Sequence, residues 1–299
     1  MASLVLHPTW NARAPLPEPR AALILAAVDG KLLAAGGTWW NGNRKMWSRR
    51  ADFFDPVSNR WLPAPPLPAP RADSAVAVLD GNVYVLGGSS DGEALDDVLV
   101  LRNGSWEPRP EMRLPGRRSY ANAAVWKNKL YLFGGMEKAG DLQTIRDNVW
   151  IWEDGRWRLI STIPSPARGN YAFAVDGNAA CFFGGVTAAA GGFHNLGEAL
   201  AYSMETSEWR ALPSVPQANR AWAAVPIRGG ILLLGGYTTG FSAAIYSFDP
   251  ISGNYAFAGE LPQGLADTRY VRIGEKIYVT GGESGMKIRS GNTWEGVIP

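Results

Sequence analysis

The 299-residue sequence has one cysteine, Cys181, and two histidines, His7 and His194. A lone cysteine excludes a disulfide framework, and its apolar surroundings point to a buried structural thiol. With no cluster of cysteine and histidine there is no zinc site, and neither a metal nor a cofactor is expected. An excess of one charge is missing too. The 29 Lys and Arg are interspersed with 27 Asp and Glu, leaving a formal net charge of +2. No basic stripe argues for nucleic acid or an anionic membrane. No apolar run approaches the roughly 18 residues of a membrane-crossing helix. The opening MASLVLHPTW has no basic segment and only a short apolar one, so no secretory leader is expected and a cytoplasmic location is. Helical periodicity is also absent. No glycine-rich segment opens a helix to cradle phosphate, because the glycines end strands.

Glycine, by contrast, is plentiful and regularly placed. Pairs recur at Gly36-Gly37, Gly87-Gly88, Gly134-Gly135, Gly184-Gly185, Gly235-Gly236 and Gly281-Gly282, 46 to 51 residues apart. An aromatic follows in step at Trp10, Trp61, Trp106, Trp157, Trp209 and Tyr255. Residues 71–106 show the unit plainly: an Arg, a strand of small residues, an Asp-Gly turn, a strand ending in Gly-Gly, a polar loop, a third strand, an Asn-Gly turn and Trp106. A fixed period of this length built of short strands marks a repeat architecture. The pattern resembles the kelch repeat over nearly the whole chain. That resemblance implies an all-β fold, a six-bladed kelch-type β-propeller occupying residues 1–299 as one domain. Blades are expected near 20–65, 66–112, 113–163, 164–214, 215–260 and 261–299.

Residues 1–19 read like the end of a blade, while the last repeat stops after its third strand, NTWEGVIP. The N-terminal strand is therefore expected to complete the last blade and close the ring, leaving no open edge. Inner strands such as AALILAAV and ADSAVAV are rich in small residues, suited to crowding around a central axis. Asp29-Gly30, Asp80-Gly81 and Asp176-Gly177 are placed to make two-residue hairpin turns.

In a four-stranded meander, the loops joining strands two to three and four to the next blade share one mouth of the ring. Those loops are the long and varied ones, so a binding site is expected there. Three sets of positions would line it. The first is the Arg opening each inner strand: Arg20, Arg71, Arg118, Arg168 and Arg220, with Arg269 deeper. A structural role is the more frequent one for such residues. The second set lies two residues further in and differs in every blade: Ala22, Asp73, Tyr120, Asn170, Trp222 and Asp267. The third follows the glycine pairs: Thr38, Trp39 and Trp40; Ser89; Met136 and Glu137; Val186 and Thr187; Tyr237 and Thr238; Glu283 and Ser284. Aromatics beside convergent charges suit a metal-free small-molecule pocket with general acid–base capability.

The segment GGESGMKIRSGNTW resembles the sialic acid mutarotase (N-acetylneuraminate epimerase) family of kelch propellers. That resemblance implies Glu283 as the proton-moving base and Arg289 as the binder of a substrate carboxylate, and Glu137 is a further candidate carboxylate. A tailoring isomerase or cyclase acting on an apolar ring compound is equally compatible. The competing class is a non-catalytic module gripping a peptide or protein at the same mouth. A small-molecule ligand is the favoured expectation of the two, and the oligomeric state is left open.

Overall fold

The computed structural model describes residues 7–298, so the first six residues of the expected closing strand lie outside it. Six four-stranded antiparallel sheets make up the ring. Their inner strands are Ile24–Val28, Ala75–Leu79, Asn122–Trp126, Ala172–Asp176, Ala223–Ile227 and Arg269–Ile273, in blades 1 to 6. Blade 6 takes its outermost strand, Thr9–Arg13, from the start of the chain. That strand pairs with Thr293–Val297 in the register Thr9↔Val297 to Arg13↔Thr293. The closure expected from the sequence is thus present.

The hairpins follow turn chemistry. Asp29-Gly30, Asp80-Gly81, Asn103-Gly104 and Asp154-Gly155 all have positive φ at both residues, as a type I′ turn requires. Blade 4 differs by one residue: Asp176 pairs with Ala179, so Gly177-Asn178 is the turn.

The core lies in the seams between blades. Phe183 and Cys181 of blade 4 pack with Trp222, Leu233 and Phe248 of blade 5, and each of the other seams holds a comparable buried cluster. Burial pushes the Cys181 thiol up to about 11, in keeping with an inert structural thiol.

The glycine pairs are the joints of the ring. The second glycine of a pair donates its N–H to a carbonyl on the next blade: Gly37 to Arg71, Gly88 to Arg118, Gly185 to Asn219, Gly236 to Leu265 and Gly282 to Arg20, all at 2.7–2.9 Å. The first glycine presses against the same carbonyl. At Gly87, with φ +56°, a Cβ would stand 2.4 Å from the Arg118 oxygen. Only glycine allows that approach together with that backbone conformation.

Candidate functional site

Of the arginines that open the inner strands, Arg20, Arg71 and Arg168 turn into the blades. Arg20 is fully buried, donating to the carbonyls of Gly36 (2.7 Å) and Arg50 (2.8 Å) and pairing with Asp52 at 3.1 Å. Arg71 donates to Gly87 O at 2.7 Å and pairs with Asp97 at 2.5 Å. Arg168 reaches Gly184 O at 3.3 Å. In blade 5 the same duty falls to Asn219, whose amide donates to Gly235 O at 2.9 Å. Arg71 is therefore a clamp on its own glycine joint, not a group aimed at a ligand.

That clamp fixes the register of the ring beyond it. Two residues inward of the clamps Arg20, Arg71, Arg168 and Asn219 stand Ala22, Asp73, Asn170 and Ala221. Tyr120 and Asp267 hold the equivalent places after Arg118 and Leu265, which make no such clamp, and all six have φ between +47° and +56°. Asp73 donates its N–H to Ala22 O, Tyr120 to Asp73 O, Ala221 to Asn170 O, Asp267 to Ala221 O and Ala22 to Asp267 O. The backbone thus runs a nearly continuous hydrogen-bonded hoop around the channel mouth, and the left-handed turn brings these side chains to the channel wall. Five of the six side chains are those expected. In blade 5 the ring residue is Ala221, because Asn219 rather than Arg220 is the clamp. Trp222 is displaced into the seam, buried, with its indole N–H donating to Phe183 O at 3.0 Å. One signal would have found this: the clamp and the first glycine of its blade's pair are always sixteen residues apart.

The channel behind the hoop has a volume of about 350 Å³. Below the ring it is walled by Leu25, Val76, Ala123, Phe173, Ala224 and Tyr270. Arg269 sits in it, donating through Nη2 to Ser74 O of blade 2 at 3.0 Å. Asp73 accepts from the Ser89 hydroxyl at 2.5 Å, which in turn accepts from the Trp47 indole N–H at 2.9 Å. Burial, then the neighbouring Asp73 and Glu283 carboxylates, push Asp267 up to about 6. Burial and the same two aspartates, Asp73 and Asp267, drive the Tyr120 hydroxyl well above its ordinary range. Tyr120 therefore stays a neutral hydroxyl.

Above the hoop the mouth carries hairpins. Blade 1 contributes Thr38–Asn41 with Arg44–Trp47, blade 4 Val186–Ala189 with Gly192–Asn195, and blade 6 Glu283–Gly285 with Ile288–Arg289. Glu283 and Arg289 face each other at 2.7 Å, and Arg289 also donates to the carbonyl (3.3 Å) and hydroxyl (3.2 Å) oxygens of Thr38. Lys287 and Arg289 lie over the Trp40 ring, so the hairpins of blades 6 and 1 are clasped together. Glu137 is on blade 3, paired with Arg146 and, at 3.5 Å, with Arg118, which holds its carboxyl below the ordinary range. It stands apart from the Glu283–Arg289 pair. Tyr237 stacks under the Arg220 guanidinium, which also covers Phe193 of the blade 4 hairpin. Trp39 is exposed.

No group of three or more His, Cys, Asp or Glu residues forms a metal-binding cluster among the described residues. Among the described residues no helix is long and apolar enough to cross a membrane.

Comparison with known proteins agrees with this architecture. The kelch motif matches residues 70–113, the stretch that runs from the blade 2 clamp through its glycine pair. The chain is a six-bladed β-propeller that carries a kelch motif. It is 26% identical over 246 residues to the Kelch-like protein terF of Aspergillus terreus, covering 76% of this chain and 52% of that protein. It is 24% identical to Kelch-like protein 25 of Xenopus tropicalis, over 87% of this chain and 44% of the relative. Beta-scruin of Limulus polyphemus matches at 26% over 52% of the chain and 18% of its own length. The propeller thus spans about half or less of these relatives.

Proposed function

We propose that this kelch propeller is a binding module whose hairpin-bearing mouth grips a protein or peptide. One observation carries this reading. Met286 is 75% exposed, Ile288 60%, Phe193 55% and Trp39 39%, and all four lie on the three hairpins of this one mouth. Exposed large apolar side chains carried on projecting hairpins among charged groups suit an interaction surface, whereas Val57 and Ile251, more exposed still, sit in short turns of the opposite mouth. The similarity to Kelch-like proteins over most of the chain supports the same reading.

The isomerase reading is less well supported by the geometry. Arg289 is 7% exposed and already engaged with Glu283 and Thr38. To hold a substrate carboxylate it would have to give up these partners, which also clasp two hairpins. A small ligand finds better support in the channel, where a cavity and an uptitrated Asp267 coincide.

The test is a selection from a displayed peptide library on the intact protein. Selected peptides should lose binding to Met286→Asp/Ile288→Asp and to Phe193→Asp. They should keep it with Val57→Asp, a control on the opposite mouth, where the loops joining strands three and four lie. Peptides indifferent to the rim variants, or no enrichment at all, would overturn the reading.

A further inference from the structure

The hoop contains a charge arrangement that the fold itself does not require. Asp73 is 5% exposed and lines the channel; one oxygen accepts from Ser89, while Oδ1 has no hydrogen-bond partner among the described residues. Asp267 lines the same channel from blade 6. Its two neighbours in the hoop are Ala22 and Ala221, so small side chains leave room on both sides of its carboxylate. Just below begin the apolar walls of Leu25, Val76, Phe173 and Ala224. Arg269 is the single basic residue lining this channel among the described residues, and its guanidinium is committed to Ser74 O. Two carboxylates therefore share one fixed cation at the top of an apolar shaft.

We propose that the channel binds an alkyl cation, an ammonium or guanidinium group on an aliphatic stem. The head sits at the hoop between Asp267 and Asp73, and the stem lies along Leu25, Val76, Phe173 and Ala224. Buried carboxylates are stabilised by pairing with a cation that brings its own hydrogen-bond donors. The apolar shaft selects a stem over a bare inorganic ion. Tyr120, held neutral, and Asn170 complete the polar side of the hoop.

Protonation follows from the groups that face Asp267. Asp73 and Glu283 raise its value, Lys45 and Arg289 lower it, and Tyr120, Arg220 and Arg269 also lie within its field. With its value near 6, Asp267 is ionised at neutral pH and takes up a proton in mild acid. A bound cation favours the ionised form, so affinity must fall as the pH drops through that value. The chemistry has two sources: a free alkyl amine, or a lysine or arginine side chain of a partner held by the rim. The second rests on the function proposed above, whereas the first does not.

The test is titration calorimetry on the intact protein at about pH 7.5 and about pH 5. The probes are n-hexylamine, n-hexanol, hexanoate and Nα-acetyl-lysine N-methylamide. Hexylamine should bind at the higher pH at least roughly tenfold more tightly than the alcohol or the carboxylate, as expected for a charge-assisted contact. Asp267→Asn and Asp73→Asn should each weaken it roughly tenfold or more, and the lower pH should weaken it too. Asp73 has a structural bond to Ser89, so melting curves accompany both variants, and Asp267→Asn keeps the test readable if Asp73→Asn unfolds. Equal binding of the lysine derivative assigns the site to a partner's side chain; binding of hexylamine alone assigns it to a free amine. Val57→Asp, on the opposite mouth, should leave hexylamine binding unchanged, and because this binding is read with no peptide present, a failure of the rim reading is separable from a failure here. Hexanoate binding as tightly as the amine, or an undiminished affinity in a folded Asp267→Asn, would overturn the proposal.

Discussion

Asp267 shows how one residue can hold a cost for the fold. Its folded value, about 6, stands above that of an ordinary carboxylate. The stabilising contribution of such a group is complete below the unfolded value near 4 and disappears as the pH rises through 6. Asp267→Asn removes the penalty on the charged form. The variant should melt about 2 °C or more above the parent at neutral pH and alongside it near pH 4, in thermal unfolding followed at both values. A variant that melts lower at neutral pH would contradict this assignment. Gly87 makes the converse case. A Cβ there meets the Arg118 carbonyl at 2.4 Å with φ at +56°, so Gly87→Ala should cost about 2–4 kcal/mol by denaturant titration. The divergence of the hoop residues Asp73, Tyr120, Asn170 and Asp267 was readable by aligning the repeats. Ala221 was not, because Arg220 imitates a clamp; only the sixteen-residue spacing to the glycine pair identifies Asn219 in that place. That Asp73 and Asp267 line one mouth was readable from their equivalent places in the repeats, but their effect on each other was not, since it depends on closure of the ring.

At the scale of elements, the closing strand is the one most exposed to test. Thr9–Arg13 has a single neighbour, Thr293–Val297, and Glu295 is the bolt between them. This carboxylate is 3% exposed, accepts from Tyr278 at 2.6 Å, and pairs with Arg13 at 2.7 Å and Lys276 at 3.0 Å. Burial would raise its value, but these partners outweigh burial and hold it below the ordinary range. Its contribution is therefore present above the unfolded value and is lost as the pH falls. Glu295→Gln should cost about 2 kcal/mol at neutral pH and progressively less in acid, in denaturant titrations compared across pH. Deleting residues 1–14 should leave the blade 6 edge open and give an aggregating or unfolded protein. A truncated protein with the parent's melting temperature would refute the role assigned to this strand. Closure was legible in the sequence because the chain begins with a blade's last strand and its final repeat lacks one. The rim hairpins were legible only as long polar loops, since their pairing, as in Trp40↔Lys45 and Glu283↔Arg289, depends on tertiary clasps across blades.

For the whole molecule, the fold divides labour between seams, hoop and rim. The inter-blade clusters and glycine joints hold the ring, which frees one mouth to carry exposed apolar tips and a channel. The six blades were legible because each repeat states the same physical unit. Which mouth carries the long inter-strand hairpins followed from strand direction. The arrangement of its groups did not, because it depends on where six separate loops converge. Arg71 and Trp222 illustrate the limit: both are large and eye-catching in sequence, and both are consumed by packing.

The most direct measurement of the central claim is site-specific photo-crosslinking of a selected peptide to the intact propeller. A photoreactive residue is placed at Phe193 or Met286 on the rim, or at Val57 or Ile251 on the opposite mouth. Adducts are expected from the two rim positions and background from the other two. Adducts forming equally well, or better, from Val57 and Ile251 would contradict it.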